Sequence, residues 1–191
     1  KIRIKTIQKA EISMLADDFD WSWGILNENI SVEDFICSKK DRVFENFLKD
    51  SAILYQKERL GITYVILIGN KVVAYYTLAN DKITMNGSKA IWNKLERKIP
   101  NEKRRSGYPA LKLCQLAVDD NHVSNGFGKM IVNRVIKYAL DSKSGCRFIT
   151  IDALPEAETF YSRMGFIRLS DSPNTTNGTI PMYFDLGKVK E

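Results

Sequence analysis

The feature that most constrains this chain is a strand, a glycine-containing turn and a helix that follow one another between residues 111 and 139. The segment 111–118 is mostly apolar, which predicts a buried strand. Two glycines two positions apart, Gly126 and Gly128, then let the backbone approach a ligand closely. Beyond them, apolar residues recur at helical spacing at Met130, Ile131, Val135, Ile136 and Ala139. Free N–H groups at the start of that helix would face the turn, so this order predicts an anion site suited to a pyrophosphate.

The turn differs from two common phosphate-binding loops. A Walker loop needs glycine at the position of Val123 and serine or threonine at that of Met130. A dinucleotide fingerprint needs a third glycine where Ile131 stands. Taken alone, the two glycines therefore leave two interpretations open, a phosphate cradle or a turn that starts a helix and binds nothing.

The remaining periodicities predict an α/β arrangement around a mixed sheet. A helix is predicted from Asp41, with Gly61 as its C-terminal cap. A short helix is predicted near 88–97, and another over 156–164 that Gly165 ends. Strands are predicted at 2–6, 63–68, 72–78, 148–151, 166–169 and 182–186, and no linker divides residues 1–191, which predicts a single domain.

The counts of histidine and cysteine exclude several kinds of site. His122 is the only histidine, so a two-His metal site cannot form within one chain, and an exposed loop position is expected for it. Three widely spaced cysteines fit neither a disulfide framework nor a zinc site, and Cys114 and Cys146 are expected to be small core residues. We therefore expect no metal and a reducing, cytoplasmic location. No apolar run approaches the ~18 residues of a membrane helix, and the basic start, 1–5, is a poor signal peptide.

The net charge of +6 is concentrated in one stretch. Residues 89–112 hold eight lysines and arginines against two glutamates, so this stretch carries the whole excess. Such a cluster suits an acidic partner, including nucleic acid or a phosphorylated cofactor. A solvated helix face and loop is the alternative.

Two motifs, in the right order, resemble those of the GNAT superfamily of acyl-CoA-dependent N-acetyltransferases. The first is Leu116-Ala117-Val118-Asp119 followed by Gly126-Phe127-Gly128. The second is Ala157-Glu158-Thr159-Phe160-Tyr161-Ser162-Arg163-Met164-Gly165-Phe166, which matches the pattern Ala-x-x-Phe-Tyr-x-x-x-Gly-Phe at every named position. Val123 departs from the family's glutamine or arginine, which puts one side-chain contact in doubt.

The resemblance implies a mixed, mostly antiparallel central sheet with flanking helices and a splayed pair of parallel strands, and acetyl-CoA as co-substrate. Backbone groups of Leu116, Ala117 and Val118 would pair with the pantetheine arm, and the N–H of Val118 would face the thioester carbonyl. The pyrophosphate would be held by Ser124, Asn125, Gly126, Phe127, Gly128 and Lys129. Phe160 and Arg163 are candidate further cofactor contacts, and the alternatives are a packing role for Phe160 and a solvated side chain for Arg163.

Tyr161 is the general acid that the resemblance implies, donating a proton or a hydrogen bond to the departing thiol. The alternative for Tyr161 is a packing aromatic on a short helix. No general base is assigned, because Asp119 and Glu156 are expected to be turn or cap residues. An α-amine, with a pKa of about 8, would suit such a site better than a lysine amine near 10.4.

Further residues resemble a branch of this family that includes bacterial toxins that acetylate aminoacyl-tRNA. They are Phe35, Cys37, Phe47-Leu48, Tyr64-Val65, residues 74–79, Pro109 and Gly145-Cys146-Arg147. The sequence does not decide whether the acceptor is a charged tRNA or a small-molecule or protein amine. It also leaves undecided whether the chain has an antitoxin partner and whether it forms a homodimer. Lys103, Arg104 and Arg105 are the predicted acceptor surface, and the three tryptophans (Trp21, Trp23 and Trp92) either stack on a nucleotide or acceptor or pack. The alternatives from other classes are a catalytically silent acyl-CoA-binding module and a basic nucleic-acid-binding domain.

Overall fold

The computed structural model describes residues 20–38, 41–84, 89–96, 99, 107–169 and 178–189. The predicted strand at 2–6 and the predicted acceptor surface Lys103, Arg104 and Arg105 lie outside these residues. The chain forms two compact units. Among the described residues, the first unit comprises those within 20–79 and 113–135, and the second those within 80–112 and 136–189. Two strands and one helix pass from one unit into the other, and the single domain over 1–191 stays a prediction.

Seven strands of the described residues form one sheet, in the order β1-β2-β3-β4-β5-β7-β6. The sheet is mostly antiparallel with one parallel pair, β4 and β5, as the resemblance to the GNAT superfamily implies. The strands are β1 (Trp21–Ile25), β2 (Ile62–Ile68), β3 (Lys71–Thr84), β4 (Gly107–Val118), β5 (Phe148–Ala153), β6 (Ile167–Arg168) and β7 (Ile180–Asp185).

Helical segments flank the strands. They are α1 (Arg42–Asn46), a π-helical segment (Phe47–Ser51), α2 (Ala52–Lys57), α3 (Lys89–Glu96), α4 (Phe127–Leu140) and α5 (Glu158–Arg163), with short 3₁₀ turns at Asp120–His122, Pro155–Ala157 and Leu186–Lys188. Every predicted helix within the described residues is present. None of these helices combines the length and the hydrophobicity needed to span a lipid bilayer.

The hairpin of β2 and β3 lies in the first unit, with Gly69 at φ +58° in its turn. Buried apolar residues of the hairpin form part of the core of this unit. In this core the rings of Tyr75 and Phe35 meet edge to face, with 5.5 Å between their centroids. The Tyr75 hydroxyl donates to the carbonyl of Phe44 at 2.7 Å, which satisfies a buried polar group. The hairpin is therefore fixed to the helical segment that precedes it.

The prediction that Gly61 caps the C-terminal end of α2 is wrong. Arg59, not Gly61, takes the left-handed conformation that ends the helix, with φ +57°. Its N–H donates to the carbonyl of Gln56, and the N–H of Leu60 donates to that of Tyr55, as in a Schellman motif. Gly61 instead lies against the hairpin, so closely that a Cβ at this position would lie 3.0 Å from Thr77 Cγ2.

The core of the second unit is aromatic. Trp92 of α3 stacks on Tyr108 of β4 at 5.6 Å, and Phe148 of β5 meets Tyr183 of β7 edge to face at 5.9 Å. The Tyr108 hydroxyl donates to Glu96 at 2.9 Å. Burial of these large rings holds α3 onto the strands.

The cysteines differ from the sequence prediction. Cys114 is exposed and Cys146 is half-buried, so neither is a core residue. Cys114 alternates with the buried Leu113 along β4 and so points away from the core. Cys146 precedes β5, and its thiol donates to the Phe148 carbonyl at 3.3 Å.

Candidate active site

The parallel ladder between β4 and β5 covers three residue pairs and ends at Lys112 and Thr150. β4 nevertheless continues to Val118. Along β4 the buried positions change from even to odd numbers between Ala110 and Leu113, which indicates an irregularity in the strand at the end of the ladder. The three predicted pantetheine contacts, Leu116, Ala117 and Val118, lie beyond this ladder, so their backbone groups take no part in it.

Asp119, the last residue of the first motif, is buried and organises the turn after β4. Its carboxylate accepts from the N–H of Ile36 at 2.9 Å, and from the N–H and side-chain amide of Asn121, each at 3.0 Å. Burial raises the pKa of Asp119, but these hydrogen bonds and one with His122 lower it more, so the net pKa falls below its usual value. A carboxylate so fully engaged is a capping group, as expected, and does not suit the role of general base.

His122 is not the exposed loop residue expected from the sequence. Its Nδ1 lies 3.2 Å from Asp119 Oδ1, and its ring meets Phe127 edge to face at 6.3 Å between centroids. The side chain is therefore half-buried, between the turn and the first residue of α4.

The predicted pyrophosphate loop contains two residues in the left-handed region, Ser124 at φ +72° and Gly126 at φ +81°. Serine rarely adopts this conformation, so the loop has a specific shape. The N–H of Met130 donates to the carbonyl of Gly126 at 3.0 Å, which begins the hydrogen-bond ladder of α4. The N–H groups of Phe127, Gly128 and Lys129 precede that bond and lie at the positive end of the helix.

The residues of this loop and its neighbour Val123 differ in whether the backbone or the side chain could contact an anion. Phe127 is buried, so only its N–H can serve an anion. Lys129 is exposed and can add a charge. Val123, which replaces the family's polar residue, is 56% exposed and offers no hydrogen bond to a phosphate.

In the second unit, Tyr161 lies on α5, which ends in a Schellman motif. Gly165, at φ +91°, donates its N–H to the carbonyl of Ser162 at 3.0 Å, and the N–H of Phe166 donates to that of Tyr161 at 3.0 Å. The rings of Tyr161 and Phe166 meet at 5.5 Å, the apolar contact that accompanies this motif. The glycine and the last phenylalanine of the second motif therefore hold the tyrosine in place.

The surroundings of Tyr161 are aromatic. Phe160 lies 5.0 Å from it on the same helix, and Phe166 in turn contacts Phe184 of β7 at 5.5 Å. Tyr161 is 9% exposed, and burial raises its pKa to about 12. The phenol therefore stays protonated through the neutral range.

A pair that the sequence did not predict fixes the other end of α5. Arg168 of β6 binds both carboxylate oxygens of Glu158, the first residue of the helix, with Nη2 at 2.6 Å from Oε2. Ten residues separate the two side chains in the chain, and no local pattern indicates that they meet. A bidentate pair restrains orientation as well as distance, so α5 is held at both ends.

The two predicted cofactor contacts on α5 and the lysine of β4 complete the predicted site residues that the structure describes. Phe160 is half-buried and Arg163 is exposed on α5. Lys112, counted in the basic stretch, lies 2.5 Å from Asp152 Oδ2, so its charge is compensated. Among the described residues, no three or more His, Cys, Asp or Glu side chains gather where a metal ion could bind.

The family described as an acetyltransferase (GNAT) domain matches residues 88–184. These residues include both motifs, from the strand before the glycine turn to the helix that carries Tyr161.

Solved structures similar to this chain include bacterial toxins. A tyrosine-to-phenylalanine mutant of KacT is 20% identical, with a TM-score of 0.72 over 88% of this chain and 96% of that one. AtaT complexed with acetyl-methionyl-tRNAfMet is 22% identical, with a TM-score of 0.70 over 88% of this chain and 96% of that one. A tyrosine-to-phenylalanine mutant of the AtaT toxin, bound to the C-terminus of the antitoxin AtaR and acetyl-CoA, is 19% identical, with a TM-score of 0.65 over 88% and 95%. At these identities the likeness is one of fold.

Proposed function

This chain belongs to the acetyltransferase (GNAT) domain family, and we propose that it transfers an acetyl group from acetyl-CoA to a primary amine by direct attack in a ternary complex. The observation that carries the proposal is the loop over 124–129. Two left-handed residues and the free N–H groups at the start of a 14-residue helix form a cradle for an anion. Acetyl-CoA supplies such an anion in its pyrophosphate.

The cofactor contacts are mainly backbone groups. The N–H groups of Gly126, Phe127, Gly128 and Lys129 hold the pyrophosphate together with Ser124 and Asn125, and the Lys129 ammonium adds charge. Val123 contributes nothing polar, and backbone contacts explain why the loop tolerates it. Leu116, Ala117 and Val118 pair with the pantetheine arm as an added strand, while Phe160 and Arg163 provide further contacts.

The reaction needs a polarised carbonyl and a stabilised leaving group. The N–H of Val118 faces the carbonyl oxygen, where charge develops as the amine nitrogen attacks. The C–S bond then breaks, and Tyr161 donates a proton to the departing sulfur. The nitrogen loses one proton as the amide forms, and this proton, carried by solvent, restores the Tyr161 phenolate to the phenol; no general base is assigned.

The raised pKa of Tyr161 fits a donor rather than a nucleophile or base, because the phenol is protonated at neutral pH. A thiol of pKa about 8.5 leaves readily as thiolate, so a hydrogen bond from the phenol lowers the barrier even before proton transfer. The acceptor must arrive neutral. An α-amine of pKa about 8 is partly neutral at pH 7, whereas a lysine amine near 10.4 is rarely so.

The preferred acceptor is the α-amine of an aminoacyl-tRNA. The AtaT complex with acetyl-methionyl-tRNAfMet supports this choice, and the AtaT complex with AtaR and acetyl-CoA supports acetyl-CoA as donor and an antitoxin as partner. A small-molecule or protein amine is the second candidate, and it is favoured if no RNA is acetylated. A homodimer and the cytoplasmic location stay predictions.

The test is transfer of labelled acetyl from acetyl-CoA to aminoacyl-tRNA, with the same tRNA deacylated as the matched control. The expected result is label on the charged tRNA only. Label on free amines instead would support the second acceptor class. Acetyl-CoA binding without transfer to any amine would contradict the enzyme proposal and support a silent module.

A further inference from the structure

One of the three tryptophans is unexplained by the proposed site. Trp92 is 6% exposed and packs in the core of the second unit, and Trp21 is half-buried. Trp23 of β1 is 49% exposed although an indole is among the costliest side chains to leave in water. An exposed indole that is held in one orientation is a candidate contact surface.

Neighbouring side chains hold the Trp23 ring in place. The guanidinium carbon of Arg134, on α4, lies 3.3 Å from the centre of the indole ring, as in a cation–π stack. On β2, the Tyr64 ring lies 6.4 Å from that of Trp23, at an interplanar angle of 38°. Tyr64 in turn stacks on Tyr76 of β3 at 5.0 Å and 11°. We call Trp23, Tyr64 and Arg134 the indole platform.

The charge of the indole platform indicates the kind of partner. Among the described residues, no carboxylate lies within ion-pairing distance of Arg134, and its guanidinium lies over the indole instead. The guanidinium covers one face of the indole, and Trp23 is still 49% exposed. An exposed indole with a guanidinium stacked on it matches an unpaired nucleotide, which offers a π-face to the indole and a phosphate to the guanidinium. An apolar peptide would match the indole but not the charge.

The position of Arg134 connects the indole platform with the cofactor loop. Arg134 and Phe127, a residue of the loop over 124–129, both lie on α4 in the first unit, with Arg134 seven residues after Phe127. At 1.5 Å per residue the separation along the helix axis is about 10 Å. A nucleotide on the platform would thus lie within a few nucleotide lengths of the cofactor pyrophosphate.

We propose that the indole platform binds an unpaired base of the RNA acceptor, stacked on Trp23, with Arg134 contacting the adjacent phosphate. This inference rests on the proposed function, since it takes charged tRNA, whose 3′ end is single-stranded, as the acceptor. It assigns the platform to substrate recognition and leaves the transfer chemistry to other residues.

The experiment measures binding of a fluorescent single-stranded RNA with the sequence of a tRNA 3′ end, by anisotropy. Base stacking contributes roughly 5- to 150-fold in affinity, so Trp23→Ala should weaken binding by about tenfold or more. Trp23→Phe should restore most of it. Arg134→Gln should lower the salt dependence by about one counterion. Tyr55→Ala, at another exposed aromatic, should change nothing.

Three results would overturn the proposal. The first is an RNA affinity that is the same in wild type and Trp23→Ala, with thermal unfolding showing both folded. The second is a change of oligomeric state in Trp23→Ala, measured by sedimentation, which would identify a protein interface. The third is a wild type that does not bind the RNA. A wild type that binds RNA in a Trp23-dependent manner but acetylates no charged tRNA would contradict the proposed acceptor and support the platform.

Discussion

The proposed cofactor loop (residues 124–129) and the tyrosine helix α5 are stabilised by different parts of the chain. The loop depends on main-chain conformation, with left-handed residues at Ser124 and Gly126 and a buried capping carboxylate at Asp119. The helix depends on side chains, with aromatic packing around Tyr161 and an ion pair at its first residue. We therefore expect acetyl-CoA binding to tolerate most side-chain changes in the loop, whereas acetyl transfer should depend on the identity and placement of the Tyr161 phenol.

The largest stability effect is expected where the loop region relies on a side chain. Asp119→Ala leaves the N–H groups of Ile36 and Asn121 without their acceptor, which should lower the free energy of unfolding by about 2 kcal/mol. Thermal and urea unfolding at pH 7 measure it. The exposed neighbour Asp120→Ala is the control, with an expected change within about 0.5 kcal/mol.

The effect of Asp119 should also depend on pH. Because its folded pKa is lowered, its contribution is present above the unfolded pKa of about 3.9 and is lost as the pH falls through the folded pKa. The stability difference between wild type and Asp119→Ala should therefore shrink below about pH 4. A difference that grows as the pH falls would contradict the assigned hydrogen bonds.

A smaller loss of stability is expected when the Schellman motif at the end of α5 is disrupted. Gly165→Ala puts a Cβ at φ +91° and 3.1 Å from Phe184 Cε2, which should cost about 1–2 kcal/mol of stability. It should also lower transfer, because the Gly165 turn sets the position of Tyr161. Gly145→Ala, where no atom lies within 4 Å of the added Cβ, is the control. Equal melting temperatures for the two variants would refute the motif's role.

A smaller effect is expected at the other end of α5. Arg168→Gln removes the bidentate hold on Glu158, and we expect turnover to fall roughly two- to fivefold with acetyl-CoA affinity unchanged. The matched control is Lys57→Gln, which breaks the exposed ion pair with Glu28 at 2.8 Å. Equal turnover in Arg168→Gln and wild type would show that the Schellman motif alone positions the tyrosine.

The smallest effect is expected at Ser124. Glycine adopts φ +72° without the strain that serine bears, so Ser124→Gly should raise the free energy of unfolding by about 0.5 kcal/mol. Acetyl-CoA affinity, measured by calorimetry, should stay within about twofold if the loop acts through its main chain. Ser31→Gly, on another exposed loop, should not stabilise. A destabilised Ser124→Gly would mean that the hydroxyl holds the loop.

The strand–turn–helix order and the closing strands were predictable because apolar periodicity and glycine positions report burial directly. β1 was not predicted, because it is only five residues long and contains Gly24, which disfavours a strand, although Trp21, Trp23 and Ile25 alternate with Ser22 and Gly24. The left-handed conformations of Arg59 and Ser124 could not be predicted either, because both are residue types that disfavour positive φ. In the candidate site, the motif positions were predictable, but the burial of Phe127 and the pairing of Arg168 depend on distant contacts.

The division of labour between loop and helix is tested most directly by measuring acetyl-CoA affinity and single-turnover transfer in the same two variants. Tyr161→Phe should bind acetyl-CoA within about twofold of wild type and transfer acetyl about 10²- to 10⁴-fold more slowly. Gly126→Val, which cannot keep φ +81°, should weaken acetyl-CoA binding by about tenfold or more. Wild-type transfer by Tyr161→Phe, or a loss of cofactor binding in that variant as large as in Gly126→Val, would contradict the account.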